Sequence, residues 1–528
     1  MFGQFFKKTL LFVILAELFS LLAFLVLQFM PFAFWILVGL FFIICLWKIE
    51  YGLYLLLAEL FIGSKGYLFF YEVGGVLVSI RIALFLVFMA VWLSKTLIAT
   101  DFIRIATDHG FKLTKFHIFN KRIIPAKGWS ASGGTYYLLL ITFIVIGLAN
   151  GLLRTSPFND VFFDFNAWVY FALFIPFLDI IRSQKVINNI IQIFIAAITW
   201  IAVKTIVVFY LFGHQFFNIT PFYKWLRDSG VGEITLMAGN FYRVFFQSQI
   251  FIIIGAMLLV GLLIYNVRTN KRNLLLYYQP EADQPLGGFI TLLLFTSIII
   301  SFARSFWVGW IAGLGLLFLY LILKEKFSWP MILKTVGAFL VFLIISSGII
   351  FGIMKLPPKT SNNASFASLV EKRVSTIEAA GSSRINLLKP LLQENLKHPI
   401  LGAGFGATVT YQSNDPRIRT ELNPEGWYTT YAFEWGYLDI WLKIGIIGLA
   451  VYLLFILMIM KQGLKKFKGI ENNGLNKGVC LGLLAGMAVL LVINIFSPYL
   501  NHPLGIGYIL LCGAIFTSLK SKVDYSGE

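Results

Sequence analysis

Three ionisable residues stand out by type and setting. Arg304 sits in Ser301-Phe-Ala-Arg-Ser-Phe-Trp307, between two apolar runs. Arg384 follows Gly381-Ser-Ser383, and Glu434 lies among Trp427, Tyr428, Tyr431, Phe433, Trp435 and Tyr437. A charge close to membrane depth is costly, so such a residue is a functional candidate. Snorkelling to lipid headgroups is the alternative for Arg304, and a solvated surface charge is the alternative for Arg384. A guanidinium makes forked contacts with phosphate oxygens. A carboxylate in an aromatic pocket loses hydration and can serve as a proton acceptor; a structural pair with Lys443 is the other reading of Glu434.

Other polar residues are weaker candidates. Arg81, in Val78-Ser-Ile-Arg-Ile82, is either functional or the partner of Glu59 or Glu17. Lys204 and Lys443 lie inside apolar runs, where snorkelling or pairing is expected. His214, His398 and His502 map to one membrane face, but their spacing matches no metal motif. Gly402-Ala-Gly-Phe-Gly406 looks like a phosphate-binding glycine loop, yet it lacks the strand-then-helix setting, so a tight turn is expected. Cys45, Cys480 and Cys512 lie in or beside apolar runs and imply no disulfide framework or metal cluster. No metal and no cofactor is expected.

The elements that must position these residues are membrane helices. Of 528 residues, 59% are hydrophobic and 13% are charged, against about 25% charged in a soluble domain. Mean hydropathy is +0.82. Apolar stretches near 20 residues are expected to span a bilayer. Fourteen such runs are readable, at about 9–28, 32–47, 51–63, 75–95, 134–153, 166–181, 188–212, 246–266, 287–303, 306–323, 331–353, 438–460, 479–497 and 504–519. The first, after Lys7-Lys8, has no small-residue cleavage site and reads as an uncleaved helix. The fold expected is an all-α polytopic membrane protein with about 12–14 transmembrane helices and one large extracytoplasmic loop, itself partly helical.

Three regions follow: helices 1–11 in residues 1–353, the large loop in 354–437, and the last helices with a cytoplasmic tail in 438–528. The net charge of +18 collects in alternate short loops. That asymmetry puts those loops and both termini in the cytoplasm and residues 355–437 outside. The basic stretch Thr100–Gly133 is expected to face lipid headgroups rather than nucleic acid, for which no motif exists. In the outer loop, Ser368-Leu-Val-Glu371 has capping-box spacing and opens an amphipathic helix to Ala380, with Gly381 as its stop. Leu387, Leu388, Leu391 and Leu392 mark a second helix, with a kink expected at Pro390. No internal repeat is visible, which counts against a transporter built from two related halves.

Three stretches together resemble the O-antigen ligase and polymerase superfamily of bacterial membrane glycan enzymes. They are Ser301-Phe-Ala-Arg304-Ser-Phe-Trp-Val-Gly-Trp310, then Arg384 with His398-Pro-Ile-Leu-Gly-Ala-Gly-Phe-Gly406, then Glu434-Trp-Gly-Tyr-Leu438 through Lys443-Ile-Gly-Ile-Ile-Gly448. The resemblance covers residues 300–450. It implies a multi-pass protein of the cytoplasmic (inner) membrane with a periplasmic catalytic loop. It also implies transfer of a glycan from an undecaprenyl-diphosphate-type carrier to a hydroxyl of a glycan, a lipid A-core or another acceptor, without a metal. Arg304 and Arg384 would then clamp the diphosphate, with Arg81 as a further ligand for the carrier. Glu434 stands where the ligases carry a histidine, and would be the base, with His398 and His502 as alternative bases. A polymerase of the same superfamily is the nearest alternative. A metal-dependent polyprenyl-phosphate glycosyltransferase would want an acid pair in its first outer loop, where Gln28-Phe-Met-Pro31 has none. A flippase of lipid-linked glycans would want charges lining a path along the helices.

Overall fold

Long runs of Leu, Ile, Phe and Val leave the backbone no water to bond to in a bilayer, so it closes on itself as helix. In the computed structural model of the chain, residues 2–108, 131–154, 156–215, 219–237, 241–269, 284–325, 329–358, 379–470 and 474–519 are described. The order begins α1 (Gln4–Leu25), α2 (Met30–Trp47), α3 (Ile49–Ile62), the hairpin β1 (Phe70–Val73) with β2 (Val76–Ser79), α4 (Ile80–Asp108) and α5 (Ala131–Leu153). It continues through α6 (Phe158–Phe165), α7 (Phe174–Ile180), α8 (Gln184–Gly213), α9 (Thr220–Asp228), the hairpin β3 (Gly232–Leu236) with β4 (Tyr242–Phe246), α10 (Ile250–Thr269), α11 (Gln284–Ser301), α12 (Arg304–Glu325) and α13 (Trp329–Met354). It ends with α14 (Ala379–Lys397), the hairpin β5 (Val409–Gln412) with β6 (Trp427–Thr430), α15 (Gly436–Gly469), α16 (Gly474–Ile493) and α17 (Pro503–Ser518). Among the described residues, eleven helical spans are long and apolar enough to cross a membrane, and Leu286–Ser301 and Pro503–Ser518 are shorter apolar helices. This is an all-α polytopic membrane fold.

The departures from the sequence reading have local causes. The run at 75–95 starts as a helix only at Ile80, because Gly74 and Gly75 take positive φ and turn a hairpin whose strands carry Val73, Val76 and Val78. The run at 166–181 divides into a 3₁₀ turn over Trp168–Leu173 and the short α7. Gly381 does not stop a helix; it lies in the first turn of α14, which runs on through Pro390 without ending there. The amphipathic helix expected from Ser368 falls, up to 378, outside the described residues, as do residues 109–130 of the basic stretch.

Helix α8, capped by Ser183 Oγ accepting from Val186 N at 3.3 Å, is the central strut. Buried Lys204 on it meets Glu17 of α1 at 2.6 Å. Helices α10 and α16 approach most closely through glycine: a Cβ on Gly261 would lie 2.5 Å from Gly478 O, and one on Gly482 would lie 2.5 Å from Leu258 Cα. Small residues at such contacts let backbones pack in the absence of a hydrophobic drive between helices.

The loop Leu401–Ala407 is spliced into a break in α15. Gly445 has φ 75° and ψ 171°, so the helix cannot bond across it. Ile446 N donates instead to Pro399 O at 2.9 Å, and the freed Leu442 O accepts from Ala403 N at 2.6 Å. Phe405 N donates to Gly147 O of α5 at 3.1 Å. Gly404 has φ 102°, and a Cβ there would lie 2.2 Å from Gly151 N. The loop Leu401–Ala407 thus plugs into the bundle, and Leu387, Leu391, Ala403, Val409, Phe433 and Leu442 form a small core beside the plug.

Candidate active site

The connection between α11 and α12 is only two residues long. Phe302 makes the reversal with φ 44°, a conformation a bulky residue rarely adopts. Its ring is fully buried and lies 4.9 Å from the Phe241 ring. Ser301 Oγ donates to Ile298 O at 2.7 Å, and Arg243 Nε donates to Ser301 O at 2.8 Å. This turn sets Arg304 at the first position of α12, where helix N–H groups and the dipole also favour an anion.

Helix α14 presents Arg384, and the end of the β5–β6 segment presents Glu434. Their side chains form an ion pair, with exposures of 37% and 49%. The aromatic pocket expected around Glu434 therefore does not enclose it, and its partner is Arg384 rather than Lys443. Trp435 Nε1 donates to Arg384 O at 2.9 Å, holding α14 over the start of α15. Ser383 Oγ accepts from Asn414 N at 2.8 Å, and Asn386 Nδ2 donates to Gln412 O at 3.0 Å, which ties α14 to strand β5.

Arg304, Arg384 and Glu434 line one cavity of about 680 Å³. Lys65, Arg227, Arg243 and Arg417 line it as well, so six cationic side chains face three carboxylates, Glu233, Asp415 and Glu434. Asp415 is held below the usual carboxylate range by its hydrogen bond from Arg417, whose Nε lies 2.9 Å from Asp415 Oδ1. Ser305 and Ser497, whose hydroxyl oxygens are 3.2 Å apart, complete the wall near Arg304. The cavity carries an excess of positive charge in fixed positions, the arrangement that stabilises an anion formed during a reaction.

The remaining candidates lie elsewhere. Arg81 does not line this cavity. It lines a neighbouring cavity, with Nε 2.9 Å from Glu59 Oε2 and Nη1 donating to Ser64 O at 2.7 Å, the ion pair with Glu59 that is its alternative reading. His398 lines neither this cavity nor its neighbour; it bonds Arg154 at the end of α5. Burial, then Arg154, lowers its pKa. His502 lines the neighbouring cavity of about 310 Å³. Its Nδ1 accepts from Leu504 N at 3.3 Å, so the neutral ring presents Nε2–H, a donor, and is poorly set to take a proton there. Burial pushes its pKa below the ordinary value. His214 is buried at the end of α8 with Nδ1 2.8 Å from Tyr210 O.

The glycine loop has no N–H groups to offer a phosphate at Ala403, Phe405 or Gly406, since backbone carbonyls take the first two and Asp164 Oδ2 takes Gly406 N at 2.9 Å. It is a structural splice. Lys443 pairs with Asp164 and, at 2.6 Å, with Asp439, all three buried. Sequence reasoning missed Asp164 and Asp439, though the signal was present: each is an acid within an apolar run. It also passed over Lys65, Arg227 and Arg243 as loop charges, because spacing alone does not tell which loops converge. Among the described residues, no group of three His, Cys, Asp or Glu could hold a metal ion.

Residues 289–453 match the family model described as O-antigen ligase. The match runs from α11 into α15 and contains Arg304, Arg384 and Glu434. No curated protein matches the chain. The family match, with the apolar helices, supports an O-antigen ligase-like assignment and a ligase- or polymerase-type function in surface polysaccharide biosynthesis.

Proposed function

We propose that the chain transfers a glycan from an undecaprenyl-diphosphate-type carrier to an acceptor hydroxyl at the outer face of the cytoplasmic membrane. The carrying observation is the shared cavity of Arg304, Arg384 and Glu434, with its surplus of cations. In the reaction the bond between the sugar anomeric carbon and the phosphate oxygen breaks. The acceptor oxygen forms the new bond to that carbon, and its proton passes to Glu434. The diphosphate leaves with extra charge, which Arg304 and Arg384 neutralise through bidentate hydrogen bonds. These guanidinium groups supply the positive charge without a metal.

The Arg384–Glu434 ion pair gives the reaction an order. A diphosphate arriving at Arg384 competes with the Glu434 carboxylate and releases it to accept a proton. Glu434 is thus held in reserve until the donor is bound. In this reading residues 355–437 and both cavities face the outer side, and both termini lie in the cytoplasm. A polymerase would use the same chemistry with a carrier-linked glycan as acceptor.

Glycan profiles and lipid intermediates of a deletion strain test the reading. Accumulation of long carrier-linked chains is the result expected of a lost ligase, and accumulation of single repeats is that of a lost polymerase. Unaltered surface glycans and no carrier-linked intermediate would refute both.

A further inference from the structure

The neighbouring cavity of about 310 Å³ abuts the basic one, and Lys65, Gln247 and Ala432 line both. Its chemistry is different. Two of its cations are already matched inside the protein, Arg81 by Glu59 and Lys443 by Asp164 and Asp439. What remains in the wall is mostly neutral, and it mixes aromatic and aliphatic surface with hydroxyl, amide and imidazole groups. Tyr67 and Tyr431 are half-buried, and burial raises the pKa of each with no hydrogen bond opposing it. Asn166, Gln247 and Asn501 add amide side chains to the lining. His502 contributes its Nε2–H donor. Hydroxyl, amide and imidazole groups set among aromatic rings suit a ligand whose hydroxyl groups both donate and accept.

We infer that this cavity is a saccharide subsite, taking one or two pyranose rings. A sugar hydroxyl both donates and accepts, matching a wall that offers donors and acceptors without much net charge. The rings of Tyr67, Phe163 and Tyr431 offer apolar faces to the C–H groups of a pyranose. A diphosphate would find little uncompensated positive charge here, and a polyprenyl tail would leave the hydroxyl, amide and imidazole groups of the wall without partners. The inference rests on the proposed transfer reaction, and the sugar comes either from the donor, next to the diphosphate, or from the acceptor.

The test uses the full chain in detergent, as wild type and as Tyr67→Phe/Tyr431→Phe. Three probes are titrated: undecaprenyl diphosphate, the carrier-linked glycan extracted from a deletion strain, and the acceptor glycolipid from the same cells. Removing the two hydroxyls is expected to weaken sugar binding about 25-fold, roughly fivefold for each hydrogen bond lost, while affinity for bare undecaprenyl diphosphate stays unchanged. Weakened binding of the carrier-linked glycan alone assigns the donor sugar to the cavity, and weakened binding of the acceptor alone assigns the acceptor sugar. Unchanged affinity for both would overturn the subsite. Failure of wild type to bind bare undecaprenyl diphosphate, with glycan binding still lost in the double variant, would sink the carrier reading and leave the saccharide subsite standing.

Discussion

The Arg384 guanidinium rests against the Glu434 carboxylate, joining two residues 50 positions apart in the chain. The pair sits at the edge of a cavity whose wall is richer in cations than in acids. In the proposed reaction Arg384 exchanges this internal anion for the diphosphate, which frees Glu434.

Arg304→Lys and Arg384→Lys keep the charge and lose the fork. Turnover of a purified carrier-linked glycan should fall by about 10²–10³-fold in each, the scale seen when one donor to a developing anion is removed. Both proteins should still insert in the membrane and melt normally, since both side chains are partly exposed. Near-normal turnover by both would remove the clamp from the mechanism.

Lys443→Met should destabilise the fold, because Asp164 and Asp439 would be left buried without their cation. The loss expected for a broken buried pair is about 3–5 kcal/mol. Adding Asp164→Asn and Asp439→Asn should return much of it. Thermal unfolding in detergent reads both; a single variant that melts like wild type would show that the cluster carries no such strain.

Gly404→Ala should yield little folded protein, since φ 102° disfavours any side chain and the added Cβ would meet Gly151 N. Gly288→Ala in α11, where nothing lies within 4 Å of the added atom, should be neutral or stabilising by about 1 kcal/mol. Size-exclusion profiles of the two variants check the contrast.

The helices were legible because membrane spans depend on local composition. The three stretches that carry the resemblance were legible too, and the family match spans them. What stayed hidden depends on contacts distant in sequence. Nothing near Gly445 tells that Pro399 will take the N–H of Ile446, and nothing near Glu434 tells that Arg384 rather than Lys443 is its partner. The first hairpin escaped because its second strand, Val76–Ser79, reads as the start of the apolar run at 75–95.

Topology is open to direct measurement. The native cysteines are all buried, so single cysteines at Leu422, 99% exposed, and at exposed Lys468 report cleanly. In intact cells with a permeable outer envelope, an impermeant thiol reagent should label the first and spare the second. The reverse pattern would place the cavity in the cytoplasm and remove the proposed site from the outer face.

His502 sets a pH dependence. Its folded pKa is lowered, so the native ring stays neutral while the unfolded chain takes up a proton below about 6.5. Stability should therefore be unaffected above that value and fall as pH drops below it. His502→Asn, which keeps an acceptor for Leu504 N, should flatten melting temperature between pH 7 and 5. An equal fall in both proteins would rule out His502 as the source.

The central claim is that Glu434 takes the acceptor's proton while Arg304 and Arg384 hold the leaving diphosphate. Single-turnover transfer by purified Glu434→Gln, beside its binding of undecaprenyl diphosphate, tests it most directly. The amide keeps the size and loses the basic oxygen, so transfer should collapse while carrier binding persists or tightens, Arg384 having lost its internal anion. Transfer by Glu434→His should recover in part and rise with pH through about 6.5, as the imidazole becomes neutral. Transfer by Glu434→Gln at close to the wild-type rate would contradict the account and make Glu434 only the resting partner of Arg384.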